Sequence, residues 1–387
     1  MSTLIVQVRP IDKILPHPNA DKLEILQVEG WNIIEKKGIY REGDLTLFVP
    51  PDAVLPQSMV DSYGVANYLA KGNRVKAVKL RGENSFGLCL KPRPEWSVGK
   101  NIAGELGITK WEPPVVGSSK FGSSMKSSQA KPHPMWRKYT EIEHLRNYSR
   151  IIPEGTEVIC LEKNDGANFS ISSFNGELVV ASRNFCRNEP TKVVIANDRL
   201  RSTIRHYADR WFGLKLFQPK FVPDPALRSK DWWWHPTLDE NFMQMLNVLA
   251  ERYNQVTIYG ESYGPVQPRM TYGSPDQLKY VVFDISVDGK FLHIEDTLFL
   301  CNKYRVPSVP VIWRGPYNFD TIQKLADGMT LMGPSNQVRE GIICRPILES
   351  RDPKVGRLIF KVINTDFLMK KYTKEAEVEG DGDFKDE

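Results

Sequence analysis

Residues 158–169 read Val-Ile-Cys-Leu-Glu-Lys-Asn-Asp-Gly-Ala-Asn-Phe, and the turn in their middle governs how the rest of the chain is read. Val158–Glu162 is a short apolar run that stops at polar turn residues, which predicts a strand. Lys163-Asn164-Asp165-Gly166 follows it at once. Beyond the turn, Asn168–Phe174 and Leu178–Ser182 flank Asn175-Gly176. Both of those turn positions favour positive φ, so the pair predicts a hairpin. Lys163 is thereby expected where a strand end opens into a pocket. A Lys-x-Asp-Gly tetrapeptide alone arises by chance in about a tenth of chains of this length. Its meaning has to come from its surroundings.

Downstream, residues 192–210 and 238–254 predict helices; in the second, Phe242, Leu246, Leu249 and Tyr253 share one face. Strands are expected at Val256–Tyr259, Tyr280–Ile285, Lys290–Ile294 after the Asp288-Gly289 turn, Gly341–Arg345 and Leu358–Ile363. Upstream, residues 113–134 (PPVVGSSKFGSSMKSSQAKPHP) carry Pro, Gly and Ser without apolar periodicity, the pattern of a linker. Before them, Leu4–Val8, Glu24–Val28, Leu45–Val49, Arg74–Leu80 and Gly87–Lys91 predict five short strands, enough for a small barrel. The expected division is a barrel over 1–110, a linker over 111–135, an α+β domain over 136–373 and a tail over 374–387.

The chain has 387 residues with 41% apolar and 26% charged side chains, an ordinary soluble composition that excludes a fibrous or disordered chain. No run of eighteen apolar residues is present to predict a membrane-spanning helix. The N-terminus shows no secretory pattern, and the five cysteines, none in a CxxC pair, form neither a disulfide framework nor a thiolate zinc site. A cytoplasmic location is the expectation. The net charge of +5 conceals an asymmetry: residues 374–387 hold seven acids and two lysines, so residues 1–373 carry +10. A body of that charge permits a polyanionic partner.

Read in order, the motifs form a set. Glu162-Lys163-Asn164-Asp165-Gly166-Ala167-Asn168 resembles the first motif of the covalent nucleotidyltransferases, which include polynucleotide ligases and mRNA capping enzymes. Ser182-Arg183-Asn184 stands where that superfamily carries an arginine. Tyr259-Gly260-Glu261 resembles motif III, and Val282-Phe283-Asp284-Ile285 the aromatic motif after it. Arg339-Glu340-Gly341-Ile342 resembles motif IV and Phe360-Lys361-Val362-Ile363-Asn364 motif V. The resemblance implies ATP as substrate and a covalent AMP on Lys163. Asp165 and Lys361 would assist catalysis, and Glu162, Asn168, Arg183, Glu261 and Phe283 would hold the nucleotide. Glu340 would bind Mg²⁺, with Mn²⁺ as a substitute. One departure is plain: many ligases have two lysines in motif V one residue apart, and here Ile363 takes the second place.

Lysine chemistry explains the residue types. Near its ordinary pKa of about 10.4 the amine is protonated at neutral pH and must be activated by neighbouring cations or desolvation.

The N-terminal stretches His17–Val28 and Lys79–Leu88 resemble the tRNA-binding OB module of aminoacyl-tRNA synthetases. An OB barrel ahead of a ligase core is similar to the fifth family of ATP-dependent RNA ligases. That resemblance implies an α+β protein: an N-terminal β-barrel of OB type joined to an antiparallel-sheet-rich, ATP-grasp-like nucleotidyltransferase core. It implies sealing of 3′-hydroxyl/5′-phosphate breaks in RNA or RNA/DNA strands, with RNA on the 3′-hydroxyl side of a duplex nick. Neither a protein partner nor a membrane is implied, and a monomer is expected. Two alternatives stay open: a GTP-using capping-type guanylyltransferase, and a non-catalytic RNA- or tRNA-binding protein with a decayed core. On the barrel, Lys71, Arg74, Lys76, Lys79 and Arg81 form a basic cluster, with Lys76, Lys79 and Arg81 as candidate nucleic-acid contacts and Trp31 or Phe86 as stacking platforms. Trp232-Trp233-Trp234 cannot all face one way, so at least one is expected in the core.

Overall fold

In the computed structural model the described residues are 3–112, 127–194, 220–267, 270–333 and 337–370. Their contacts divide the chain into two units: residues 1–115, 140–164 and 310–387 form one, residues 116–139 and 165–309 the other.

The first unit begins with a run of short strands: β1 (Gln7–Pro10), β2 (Lys13–Pro16), β3 (Leu23–Val28), β4 (Trp31–Lys36), β5 (Leu45–Val49), β6 (Ala53–Val54), helix α1 (Gln57–Tyr63), β7 (Ala77–Leu80), β8 (Glu83–Phe86), β9 (Leu88–Leu90) and β10 (Thr109–Lys110). β5 lies between β1 and β9, and β3 between β2 and β4, all antiparallel. Val8, Leu47, Val49 and Leu90 fill one side of this region; Leu26, Val28, Trp31, Ile33 and Phe48 fill another. The His-Pro-Asn stretch at 17–19 is a staple: His17 Nε2 meets the Leu80 carbonyl at 3.2 Å, and Asn19 Nδ2 donates to the Arg81 carbonyl at 3.0 Å. The turn before β3 is thereby fastened to the β7–β8 hairpin.

The chain then enters a second sheet through β11 (Glu143–His144) and β12 (Glu157–Lys163), before crossing into the other unit between Asn164 and Asp165. That unit contains β13 (Ala167–Phe174), β14 (Glu177–Ser182), β15 (Thr191–Val194), β16 (Lys220–Pro223), helices α2 (Pro225–Arg228) and α3 (Glu240–Ala250), β17 (Gln255–Tyr263), β18 (Lys279–Val287), β19 (Lys290–Phe291) and helix α4 (Ile294–Tyr304). Its main sheet runs β14-β13-β17-β18-β19. Asn175 and Gly176 take φ of 50° and 86° in the β13–β14 turn, the double positive φ expected of that dipeptide. α3 buries Phe242, Met245, Leu246 and Leu249 against Ile171, Ile258 and Ile285.

Two expectations are corrected in this unit, and the one for the tryptophan triplet holds. Thr191–Val194 is a strand where a helix over 192–210 was expected, and residues 195–210 lie outside the described residues. Ile294 opens a helix instead of ending a strand: Glu295 and Asp296 occupy its first turn, where negative side chains complement the helix dipole. Trp233 and Trp234 are both in the core and Trp232 packs against it, so the triplet is structural.

The first unit resumes with β20 (Val311–Pro316), α5 (Phe319–Leu325), β21 (Gly341–Pro346), β22 (Arg351–Asp352), β23 (Gly356–Arg357) and β24 (Phe360–Ile363). Its second sheet runs β11-β24-β21-β12-β20. One face packs Val158, Cys160, Ile342, Cys344, Phe360 and Val362 against Leu145, Tyr317 and Ile322. Cys160 and Cys344 stand directly opposite each other in the β12–β21 ladder. All five cysteines are free and buried. Among the described residues no helix is long and apolar enough to cross a membrane.

Candidate active site

Side chains alternate across a strand, so the burial of one face of the second sheet fixes what the other presents. With Glu162, Ile342 and Val362 in one row, the adjacent row is Lys163, Gly341 and Ile363, linked by the β12–β21 and β21–β24 ladders. Lys361 lies two residues from Ile363 on the same face, and both are half-buried while Phe360 and Val362 are buried.

Gly341 is required where it stands. A Cβ there would lie 2.1 Å from the Val362 carbonyl oxygen and 2.9 Å from Ile363 Cα. Immediately before it, Glu340 Oε1 accepts a hydrogen bond from Lys163 Nζ at 2.6 Å, with the two side chains 14% and 25% exposed. Lys163 and Glu340 therefore meet, 177 residues apart in sequence. Beside β24, His144 pairs in parallel register with Lys361. Burial first, then the cations Arg146 and Lys361, push the His144 imidazole well below its ordinary 6.5. It is a neutral ring.

Glu162 does not share this face. Its side chain is 1% exposed, accepting from the Thr330 hydroxyl and, at 2.8 Å, from the Leu331 amide. The Asn164 amide donates to Met332 Sδ at 2.9 Å. The pair anchors the 330–332 segment, and the expected nucleotide contact by Glu162 is corrected to a structural one.

In the other unit a second group assembles. Asn168 of β13 stands directly opposite Glu261 of β17, and both are half-buried. Gly166 lies against the same carboxylate: a Cβ there would meet the Ser262 carbonyl oxygen at 2.3 Å and Glu261 Cγ at 2.9 Å. The Asp165 amide donates to the Tyr272 hydroxyl at 2.7 Å. Between β17 and β18 the register slips, pairing Tyr259 with Asp284 but Gly260 with Val282. Phe283 is the extra residue of that bulge, a device that re-aims a side chain. Its ring meets Tyr139 edge-on at 5.2 Å. Tyr139 also packs on Tyr259 and Phe291, and its hydroxyl donates to Asp284 Oδ2 at 2.8 Å. Arg183 is exposed just beyond β14. Tyr139 is the residue that sequence reading missed, because it lies in a segment with no periodicity.

On the barrel, the candidate contacts separate. Lys79 and Arg81 are exposed, but Lys76 is only 7% exposed, which removes it as a phosphate contact. Arg74 is spent too: it bonds Asp52 at 2.6 Å and covers Trp111 at 3.3 Å. Trp31 and Phe86 are buried against each other, ring centroids 5.5 Å apart, so neither is a free stacking platform.

The sheet pairs and their motifs define a ligase-type chain, and the comparisons place it. Residues 156–363 match the RNA ligase family model; the chain belongs to that family. Residues 5–92 match an OB-fold domain model. Among solved structures, Naegleria gruberi RNA ligase with PPi is similar with a TM-score of 0.67 and 21% identity, over 96% of this chain and 99% of that one. A mutant of the same ligase with ATP and Mn gives 0.66 and 20%, over 95% and 98%, and another with AMP and Mn gives the same figures. The fold is accordingly α+β, an OB-fold region with a ligase core. A search of the curated proteins gives no match.

Proposed function

We propose that this RNA ligase family member is ATP-dependent and seals 3′-hydroxyl/5′-phosphate breaks in RNA through a lysyl-AMP on Lys163. The observation that carries the reading is the 2.6 Å contact of Lys163 with Glu340 at a half-buried strand end, with Lys361 on the same face. A carboxylate so close favours the charged ammonium, so Lys163 is held in a resting form. It becomes a nucleophile once Glu340 exchanges that contact.

In the first step the Lys163 amine attacks the α-phosphorus of ATP; a nitrogen–phosphorus bond forms, and the bond to pyrophosphate breaks. Glu261 and Asn168 bind ribose hydroxyls, Phe283 stacks on the adenine, and Arg183 and Lys361 bind phosphates, with Asp165 beside the nucleophile. In the second step the 5′-phosphate of a broken strand displaces Lys163 from AMP. In the third the 3′-hydroxyl attacks that activated phosphate and releases AMP. Positioning and charge stabilisation supply most of the rate.

Among the described residues no three His, Cys, Asp or Glu side chains cluster to form a metal cage. A single half-buried carboxylate at Glu340 fits Mg²⁺ or Mn²⁺, since such ions are held by one or two carboxylates plus substrate phosphates. When bound, the metal neutralises phosphate charge. The barrel, with Lys79 and Arg81 exposed, guides the strand, and a duplex nick with RNA on the 3′-hydroxyl side is the preferred substrate.

The test is transfer of label from α-phosphate-labelled ATP to protein, beside labelled GTP and a Lys163→Ala variant. Acid-labile label from ATP alone, lost in the variant, is the expected result. Label retained by Lys163→Ala, or none from ATP in enzyme first discharged with pyrophosphate, overturns the reading.

A further inference from the structure

Between β17 and β18 the chain turns tightly at Thr271-Tyr272-Gly273-Ser274, where the Ser274 amide donates to the Thr271 carbonyl at 2.9 Å. Both central residues have positive φ, 52° at Tyr272 and 73° at Gly273. That double positive φ is the type I′ pattern, whose usual occupants are Asn-Gly, Asp-Gly or Gly-Gly. A tyrosine in the left-handed region is strained, because its Cβ crowds the backbone carbonyl. Asparagine or glycine would relieve that strain. Such residues persist only where their surroundings hold them in place, so the reason for this one lies in its side chain.

Tyr272 is 2% exposed. Its ring meets Tyr263, the last residue of β17, edge-on at 5.3 Å. Its hydroxyl accepts from the Asp165 amide at 2.7 Å, 107 residues away in sequence. A phenylalanine would fill the same space and pack on Tyr263 in the same way, so packing does not call for the hydroxyl. What the hydroxyl adds is a fixed direction for the Asp165 amide.

Asp165 is the first residue after the crossing between the units, two positions beyond Lys163. On the other side of the crossing Asn164, 8% exposed, donates to Met332 Sδ. The backbone leaving Lys163 is therefore fastened at two successive residues, each within its own unit. A lysine side chain keeps four rotatable bonds, so the direction in which its amine approaches a phosphorus depends on a backbone that does not swing.

We infer that Tyr272 is a positioning residue for the attack of Lys163 on the nucleotide, acting through the Asp165 amide. This role rests on the RNA ligase reading. It predicts a defect confined to part of the reaction. The first step makes the bond between Lys163 and phosphorus, and the second breaks it. The third, attack of a 3′-hydroxyl on a strand already carrying AMP, does not pass through Lys163.

Tyr272→Phe, Tyr263→Phe and the unaltered protein are each discharged with pyrophosphate and compared in two assays. One is single-turnover label transfer from ATP across ATP concentrations. The other is sealing of a nicked duplex whose 5′ end is already adenylylated, without ATP. In Tyr272→Phe the label-transfer rate at saturating ATP falls about tenfold, since a misplacement of 1 Å costs about a hundredfold. Half-saturating ATP and sealing of the adenylylated nick stay within about twofold. Tyr263→Phe, which removes a hydroxyl from the partner ring, leaves both rates unaltered. The ratio of the two rates in one preparation cancels any loss of folded protein. A Tyr272→Phe rate of label transfer within about twofold of the original overturns the role. So does an equal fall in both assays, or a variant that does not fold, because the hydroxyl is then merely structural. Absence of label in the unaltered protein fails the ligase reading instead.

Discussion

Replacing Gly341 with alanine tests how the site is held together. The added Cβ would stand 2.1 Å from the Val362 carbonyl oxygen and 2.9 Å from Ile363 Cα, against the 3.0 Å that real Cβ contacts keep. Both obstacles are backbone, so no rotamer change relieves them, and β21 and β24 have to part by about 1 Å. Overpacking of this kind costs about 1–3 kcal/mol. Losing one ladder hydrogen bond adds about 1 kcal/mol. Together these lower the melting temperature by about 5–15 °C, at 2–4 °C per kcal/mol for a unit of this size. Activity falls further than stability, because β24 carries Lys361 and Glu340 precedes β21. A misplacement of 1 Å in such a site costs about a hundredfold in rate. The assay is label transfer from ATP well below the melting point, paired with a thermal melt. A Gly341→Ala protein that melts within 2 °C of the original (about 1 kcal/mol or less) and takes up label within about threefold (about 0.7 kcal/mol) would refute the argument.

Two further outcomes follow from buried groups. Glu162→Ala strips the acceptor from the Thr330 hydroxyl and the Leu331 amide, and should cost about 2–4 kcal/mol; denaturant melts check this, and a loss under 1 kcal/mol would count against the anchoring role. His144 gives an acid limb. Its folded value is depressed below 6.5, so as pH falls through 6.5 the unfolded chain takes the proton first. Stability is then lost at up to about 1.4 kcal/mol per pH unit, with no contribution above that range. His144→Gln should flatten the limb between pH 6.5 and the depressed value; an unchanged slope would show that the ring is not buried neutral.

Much of the site was legible because its residues sit at punctuation. A lysine after an apolar strand, a Tyr-Gly-Glu at a bulge and an Arg-Glu-Gly ahead of a strand are each set by local backbone needs, as Gly166, Gly260 and Gly341 demonstrate through their close approaches. Face assignment was not legible. Glu162 and Lys163 are neighbours in sequence, yet alternation sends one into the core side and the other to the site. Lys76 was misread for a related reason: spacing alone does not tell a buried lysine from a solvated one. Helix α4 hid behind a turn signal and a largely apolar Phe-Leu-His-Ile, although Glu295 and Asp296 in its first turn were the available cue. Tyr139 had no local signature, since its partners Tyr259, Phe283 and Phe291 are far along the chain.

The interleaving of the two units has a consequence for how the chain is made. β12 is completed at Lys163, but its strand partners β20 and β21 follow only after Asp165–Val309, 145 residues that belong to the other unit. At about 5–20 residues per second, a ribosome leaves the strand bearing Lys163 unpaired for roughly 7–30 s. The intervening sheet, β14-β13-β17-β18-β19, draws all its strands from within that stretch and can close during that interval. The order of synthesis thus favours completing the inserted unit before the strands that flank Lys163 zip together, and it leaves β11 and β12 open to chaperones or to mispairing on a nascent chain.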